Sequence, residues 1–199
     1  YNEHSNISSL DPIFSSTVRN IWPVNQIFNG LVQLDDSLNI KPDLAKKWDI
    51  SDDGLNYVFN IKKNIFFHKS NIFGADSTRT VNAYDFEYSF NRLKSPELSS
   101  PGSWVLNNVD QYKAINDSLF SISLKKPFAA FIGILSMKYC SVVPKEAVEY
   151  YGVKFGKNPI GTGPFKFKKW EENIKLVLRK NNHYFEKDEK GFQLPYLEA

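Results

Sequence analysis

The chain has 199 residues, 25 basic and 22 acidic side chains, a net charge of +3 and 42% hydrophobic residues. That length holds one large domain or two small ones with most of the apolar surface buried. The charges are mixed along the chain, which excludes a nucleic-acid footprint, and no run reaches the roughly eighteen apolar residues of a membrane-spanning helix.

No basic start followed by an apolar core marks a signal peptide, so the expectation is a soluble chain beginning as a mature or trimmed protein does, with any targeting signal removed or never present. Cys140 is the only cysteine, which rules out an intramolecular disulfide and leaves the compartment open. Its apolar surroundings read as those of a buried structural thiol rather than a nucleophile. Aromatic residues make up 15% of the chain, which fits a β-rich core and permits a ligand cleft.

In chain order, Val24, Ile27, Phe28 and Leu31 lie at helical spacing. They predict a helix over residues 20–31, with Pro23 in its first turn and Gly30 as its stop. Leu55, Tyr57, Phe59 and Ile61 alternate with polar neighbours after an Asp53-Gly54 turn, which predicts a half-buried strand. Ala83, Phe86, Phe90 and Leu93 form one stripe of a second helix, with Thr80 as its N-cap and Asp85 and Glu87 near the positive end of its dipole. Residues 94–102 read as a loop and residues 119–124 as a strand ended by Pro127. Pro144 opens a short helix over residues 145–151, which Gly152 closes. Residues 165–170 and 174–179 form a hairpin joined by Glu171-Glu172-Asn173, with Phe165, Phe167 and Lys169 on one face and Lys166, Lys168 and Trp170 on the other. Interleaved helices and strands make the class mixed α/β.

The residues offer little chemistry. His4, His68 and His183 are far apart, with no neighbour at metal-ligand spacing, so no metal or cofactor is expected. His68 ends the aromatic run from Ile65, where a structural hydrogen-bonding role is expected. Gly161-Thr162-Gly163 is followed by Pro164 and a strand, not by Lys-Ser/Thr and a helix, which excludes a phosphate loop. A glycine turn of this kind brings the backbone close to a bound molecule or to another segment. The aromatic-basic run Phe167 to Trp170 reads as a plain strand, not a single-strand nucleic-acid platform. Asp35-Asp36, Asp52-Asp53 and Glu171-Glu172 read as solvated turns. No nucleophile, base and acid can be assembled into a triad, so the chain is not read as an enzyme.

The order of the segments is more specific than any one of them. Leu10-Asp11-Pro12, Ile27-Phe28-Asn29-Gly30-Leu31-Val32, Pro42-Asp43-Leu44-Ala45-Lys46-Lys47-Trp48, the run from Ser51 to Lys62, Phe67-His68, and Asp85-Phe86-Glu87-Tyr88-Ser89-Phe90 follow one another. Lys125-Lys126-Pro127-Phe128, Val143-Pro144-Lys145-Glu146, the run from Asn158 to Phe165, Leu176 to Asn181 and Pro195-Tyr196-Leu197 complete the series. The series resembles the family 5 extracellular solute-binding proteins of ABC importers, the oligopeptide- and dipeptide-binding group. The resemblance implies a class II periplasmic-binding-protein fold whose two lobes close on a ligand by a hinge. Residues 1–31 and 158–199 would form the base of the first lobe, and residues 32–157 a mixed α/β subdomain inserted into it. The second lobe would be absent from this chain, making it an N-terminal fragment that binds weakly by itself.

The implied partners are a peptide or other small solute and the permease subunits at the membrane, with no nucleic acid. The implied location is periplasmic or at the outer face of the cytoplasmic membrane, often through a lipidated cysteine that this chain lacks. Relatives also carry nickel chelates, haem, opines and sugars. In peptide-binding members, the backbone shortly after the Leu-Asp-Pro triplet pairs with the ligand like an added strand; by position this falls on Ser15, Ser16, Thr17 and Val18, where a generic turn is the competing reading. Trp104 is an aromatic candidate for the cleft or for the core, and Gly161, Thr162 and Gly163 would lie near the cleft. The alternative function is an extracytoplasmic sensor or interaction module that keeps the fold without transport.

Overall fold

The Leu10-Asp11-Pro12 triplet opens one 3-10 turn, Pro12–Phe14, because proline presets the backbone and the Asp11 carboxylate accepts the Ile13 N–H at 3.3 Å. The computed structural model describes residues 6–199. Helix α1, Val18–Ile27, buries Asn20, Pro23, Val24 and Ile27. It starts earlier and ends earlier than its apolar spacing predicts. Pro23 is its sixth residue rather than part of its first turn, so the Arg19 carbonyl receives no backbone N–H from it. Gly30 does not stop the helix. Phe28 is the C-cap, and Gly30 is stitched to the next segment by its N–H to Asp43 Oδ2 at 2.9 Å and by its carbonyl accepting the Leu44 N–H at 3.0 Å.

Strands β1, Val32–Leu34, and β2, Ile40–Pro42, form a small antiparallel pair around a turn in which Asp35 Oδ1 accepts the Ser37 and Asn39 N–H groups. Strands β3, Ala45–Ile50, β4, Asn56–Ile61, β5, Val109–Asn116, and β6, Leu119–Leu124, make an antiparallel sheet in the order β3-β4-β6-β5. The alternation in β4 and β6 sends Tyr57, Phe59, Ile61, Phe120, Ile122 and Leu124 inward.

Helix α2, Ala83–Lys94, lies on this sheet. Its Phe90 meets Phe120 edge to face, with ring centroids 5.4 Å apart, and also meets Tyr112 at 5.5 Å. Its N-cap is Asn82 and not Thr80, because Thr80 is spent on a β-bridge to Phe66, while Asn82 and Asp85 complete a reciprocal capping box. That bridge is all the strand character that the Ile65–His68 run acquires among the described residues.

A short α3, Phe131–Ile134, is followed by α4, Lys145–Tyr151, which runs from Pro144 to Gly152 as predicted. The closing hairpin pairs β7, Phe165–Glu171, with β8, Lys175–Lys180. A bulge at Lys168 breaks the predicted alternation. Phe167 faces Leu178 and Lys169 faces Val177, so Trp170 turns to the same packed side as Phe167. One continuous buried cluster includes Leu10, Ile27, Phe28, Phe59, Phe86, Phe120 and Phe155, so the early helix, the sheet and the later helices share a core.

Candidate functional site

The segment from Ser15 to Val18 is held from three directions. Arg92, from α2, binds the Asp11 carboxylate with two nitrogens at 2.7 and 3.3 Å. Ser100 Oγ donates to the Ile13 carbonyl at 2.6 Å. Asn20 Nδ2 donates to the Phe14 carbonyl at 3.3 Å and to Ser8 Oγ at 2.8 Å. Between these anchors Ser15 is buried, and its hydroxyl has no hydrogen-bond partner among the described residues. Ser16 and Thr17 are exposed, and Val18 is 61% exposed. Thr17 is extended, with φ −122° and ψ 151°, and its carbonyl accepts the Asn20 and Ile21 N–H groups. The N–H groups of Thr17, Val18 and Arg19 find no acceptor among the described residues. They are the open donors at the N-terminus of α1, next to a turn held by Arg92, Ser100 and Asn20.

Trp104 sits in a 3-10 turn, Ser103–Leu106, and is 48% exposed, while its neighbours Val105 and Leu106 are buried. The core alternative for Trp104 therefore fails: the turn buries its aliphatic residues and presents the indole. Ser100 ties this loop to Ile13, two residues before Ser15, and Gly102 lies flat against the Tyr139 ring.

Gly161, Thr162 and Gly163 are buried. A Cβ on Gly161 would stand 2.1 Å from the Ile27 carbonyl oxygen, and one on Gly163 would stand 2.5 Å from that of Gln26. The close approach that glycine permits here is to the C-terminal turn of α1. His68 locks the same junction. Its Nδ1 accepts the Gly161 N–H at 3.3 Å, its Nε2 donates to the Gly163 carbonyl at 2.9 Å, and its backbone N–H donates to the Gly161 carbonyl at 2.8 Å. One donor and one acceptor fix the neutral tautomer with the proton on Nε2. Burial, reinforced by the Lys166 charge and opposed by the Gly163 carbonyl, lowers the imidazole from its ordinary 6.5 to about 4. The structural role expected of His68 is the one it has.

Behind this junction runs a polar chain that spacing alone did not reveal. Thr162 Oγ1 donates to Asn29 Oδ1 at 2.9 Å, and Asn29 Nδ2 donates to Asp43 Oδ1 at 2.9 Å and to the Tyr184 hydroxyl at 3.4 Å. Tyr184 in turn donates to Glu186 at 3.1 Å. Burial pushes the Asp43 carboxyl up to about 6, against the Lys138 charge and the Gly30 N–H. The only hint in the sequence is one acid between the apolar-flanked Pro42 and Leu44. Cys140 is buried, and burial pushes its thiol up to about 12, so it is inert.

His183 is exposed at the turn after β8, and His4 lies outside the described residues. Among the described residues no group of three or more His, Cys, Asp and Glu side chains could hold a metal, and no helix is long and apolar enough to cross a membrane.

The sequence pattern described as bacterial extracellular solute-binding proteins, family 5 Middle, matches residues 39–199. The chain is similar to the glutathione-binding protein GsiB of Salmonella choleraesuis, 28% identical over 182 residues that cover 92% of this chain and 34% of that protein. It is also similar to the solved ABC transporter-associated periplasmic binding protein DppA from Helicobacter pylori in complex with peptide STSA, at 29% identity and TM-score 0.82 over 90% of this chain and 38% of that one. NikZ from Campylobacter jejuni, in complex with Ni(L-His), matches at 31% identity and TM-score 0.79 over 91% of this chain and 35% of its own. The chain spans about a third of the length of these relatives. With the family pattern matched over most of its length and the mixed α/β periplasmic-binding-protein fold in place, the chain belongs to the bacterial extracellular solute-binding proteins, family 5.

Proposed function

We propose that this chain is part of the substrate-binding component of an ABC importer, which captures a peptide or another small solute outside the cytoplasmic membrane and delivers it to permease subunits. In this reading residues 1–31 and 158–199 belong to the base of one lobe and residues 32–157 to its inserted subdomain. Ser15, Ser16, Thr17 and Val18 border the ligand, with Trp104 nearby and Gly161, Thr162 and Gly163 holding the junction behind α1.

The observation that carries the reading is the set of N–H groups at Thr17, Val18 and Arg19 that find no acceptor among the described residues. The Thr17 N–H, on an extended residue, can pair with an extended ligand as one strand pairs with another, and the Val18 and Arg19 N–H groups add the open donors of the first turn of α1. In this reading the chain binds without reacting, in keeping with the solute-binding family to which it belongs.

A tetrapeptide, glutathione and nickel-histidine, each titrated into the isotopically labelled chain and followed by amide NMR, test this. The expected result is a saturable shift of the Thr17, Val18 and Arg19 amides with one of the three. Shifts confined to other parts of the chain, or none with any probe, would overturn it.

A further inference from the structure

Three separate stretches of chain meet around a pocket of about 380 Å³, a volume in the range of small-molecule sites. Phe66 and Lys69 come from the segment after β4, Lys166 from β7, and Asn182 and His183 from the turn after β8. Among the described residues no Asp or Glu lines it. The ammonium groups of Lys69 and Lys166 and the ring of His183 have no hydrogen-bond or ion-pair partner among the described residues. On the same hairpin Lys169, Lys175 and Lys180 each reach a glutamate, whereas Lys166 lines the pocket without one. Its charge is felt as far as the buried His68.

The remaining polar atoms of the lining are committed elsewhere and hold the walls still. Thr78 Oγ1 donates to the Phe67 carbonyl at 2.6 Å. Asn181 Nδ2 donates to the Gly163 carbonyl at 3.0 Å, while its Oδ1 accepts the His183 N–H at 3.1 Å. What is left for a ligand is two ammonium groups, an imidazole and the Asn182 amide beside the half-exposed Phe66 ring. Two lysine ammonium groups at one pocket, with no carboxylate beside them among the described residues, suit an occupant bearing acceptor oxygens.

We infer that this pocket binds a small organic anion, its carboxylate or phosphate oxygens between Lys69, Lys166 and His183 and its apolar part against Phe66. The site is distinct from the Thr17 edge. It adjoins the junction packed on the C-terminal turn of α1, whereas Thr17 caps the other end of that ten-residue helix, about 15 Å away along its axis.

The test titrates inorganic phosphate, succinate and, as a cationic control, methylamine into the labelled chain at constant ionic strength. Amides of Lys69, Asn182 and His183 should shift saturably with phosphate, with succinate or with both, and not with methylamine; the pair of anions tells phosphate from carboxylate as the preferred group. Lys69→Ala with Lys166→Ala removes two exposed side chains, so the fold should persist with the same near-ultraviolet circular dichroism. Affinity should fall at least tenfold in that variant. Shifts that never saturate and spread evenly over the surface lysines, or equal affinity in the double variant, would overturn the site. Shifts at Thr17 and Val18 report separately on the proposed cargo edge.

Discussion

Arg92 and Asp11 form a two-pronged ion pair, at 2.7 and 3.3 Å, with both side chains almost entirely withdrawn from solvent. It ties α2 to the turn that precedes the candidate ligand edge. Removing one partner leaves the other charge buried and unmatched, which costs about 3–5 kcal/mol. Arg92→Met should therefore lower the urea-unfolding free energy by that amount, and adding Asp11→Leu should recover at least half of it. If the single variant unfolds at the same urea concentration as the parent, the pair is not the anchor described here.

His68 and Asp43 should act on stability with opposite signs as the pH falls. The imidazole is lowered from 6.5 to about 4 in the folded chain, so its contribution is complete above pH 6.5 and is lost between pH 6.5 and 4. The Asp43 carboxyl is raised from 3.8 to about 6, so the folded state binds its proton first and gains stability between pH 6 and 3.8. Each effect is bounded by about 1.4 kcal/mol per pH unit. Asp43→Asn should lose stability more steeply than the parent between pH 6.5 and 4.5, and His68→Gln less steeply. Urea midpoints at several pH values decide this, and parallel curves for all three proteins would refute the assignment.

Gly161 has no room for a side chain. With the Ile27 carbonyl oxygen 2.1 Å from the added carbon, Gly161→Ala must displace the backbone of α1 or of the segment before β7, at a cost of about 3 kcal/mol or more. Gly54 is the control, since its φ of +68° strains an alanine but its nearest neighbour is 3.6 Å away. Gly54→Ala should cost only about 1 kcal/mol. The two losses, read by chemical denaturation, should differ clearly in this order.

Val18 is the first residue of α1, and the residue before it is extended, so proline fits there without harm to the helix. Val18→Pro removes one free N–H from the proposed edge. Stability should stay within about 0.5 kcal/mol of the parent, while the amide shifts produced by the binding probe at Thr17 and Arg19 should weaken about tenfold. Unchanged binding would show that this donor does not face the ligand.

Elements that announce themselves by both ends were legible from the residues. Pro144 and Gly152 bracket α4, and the alternation of β4 and β6 follows directly from one face being buried. By contrast β3 exposes most of its side chains, so Lys46, Lys47 and Asp49 erase any period, and the bulge at Lys168 resets the alternation of β7. The start of α1 escaped because its first turn exposes Val18 and Ile21 and turns only the polar Asn20 to the interior, and Pro23 suggested a boundary where the helix in fact continues. At the candidate site, the glycines were readable as a place of close approach, but which segment approaches depends on the fold. Likewise Asn29, Asp43 and Tyr184 meet only after the chain has returned from far away.

That return shapes how the chain can vary. The Gly163 N–H donates to the Ile27 carbonyl at 2.8 Å, and Thr162 reaches Asn29 at 2.9 Å, so residues 30–161 form a closed excursion from a single seam. Closing such a loop depends only weakly on its length, each doubling adding about 0.6 kcal/mol. Segments within the excursion can therefore lengthen or shorten without loosening the seam, provided that His68 and Asp43 still reach back to it. The seam itself joins residues far apart in the chain, so it is expected to close late in folding, after the sheet beneath α2 has formed.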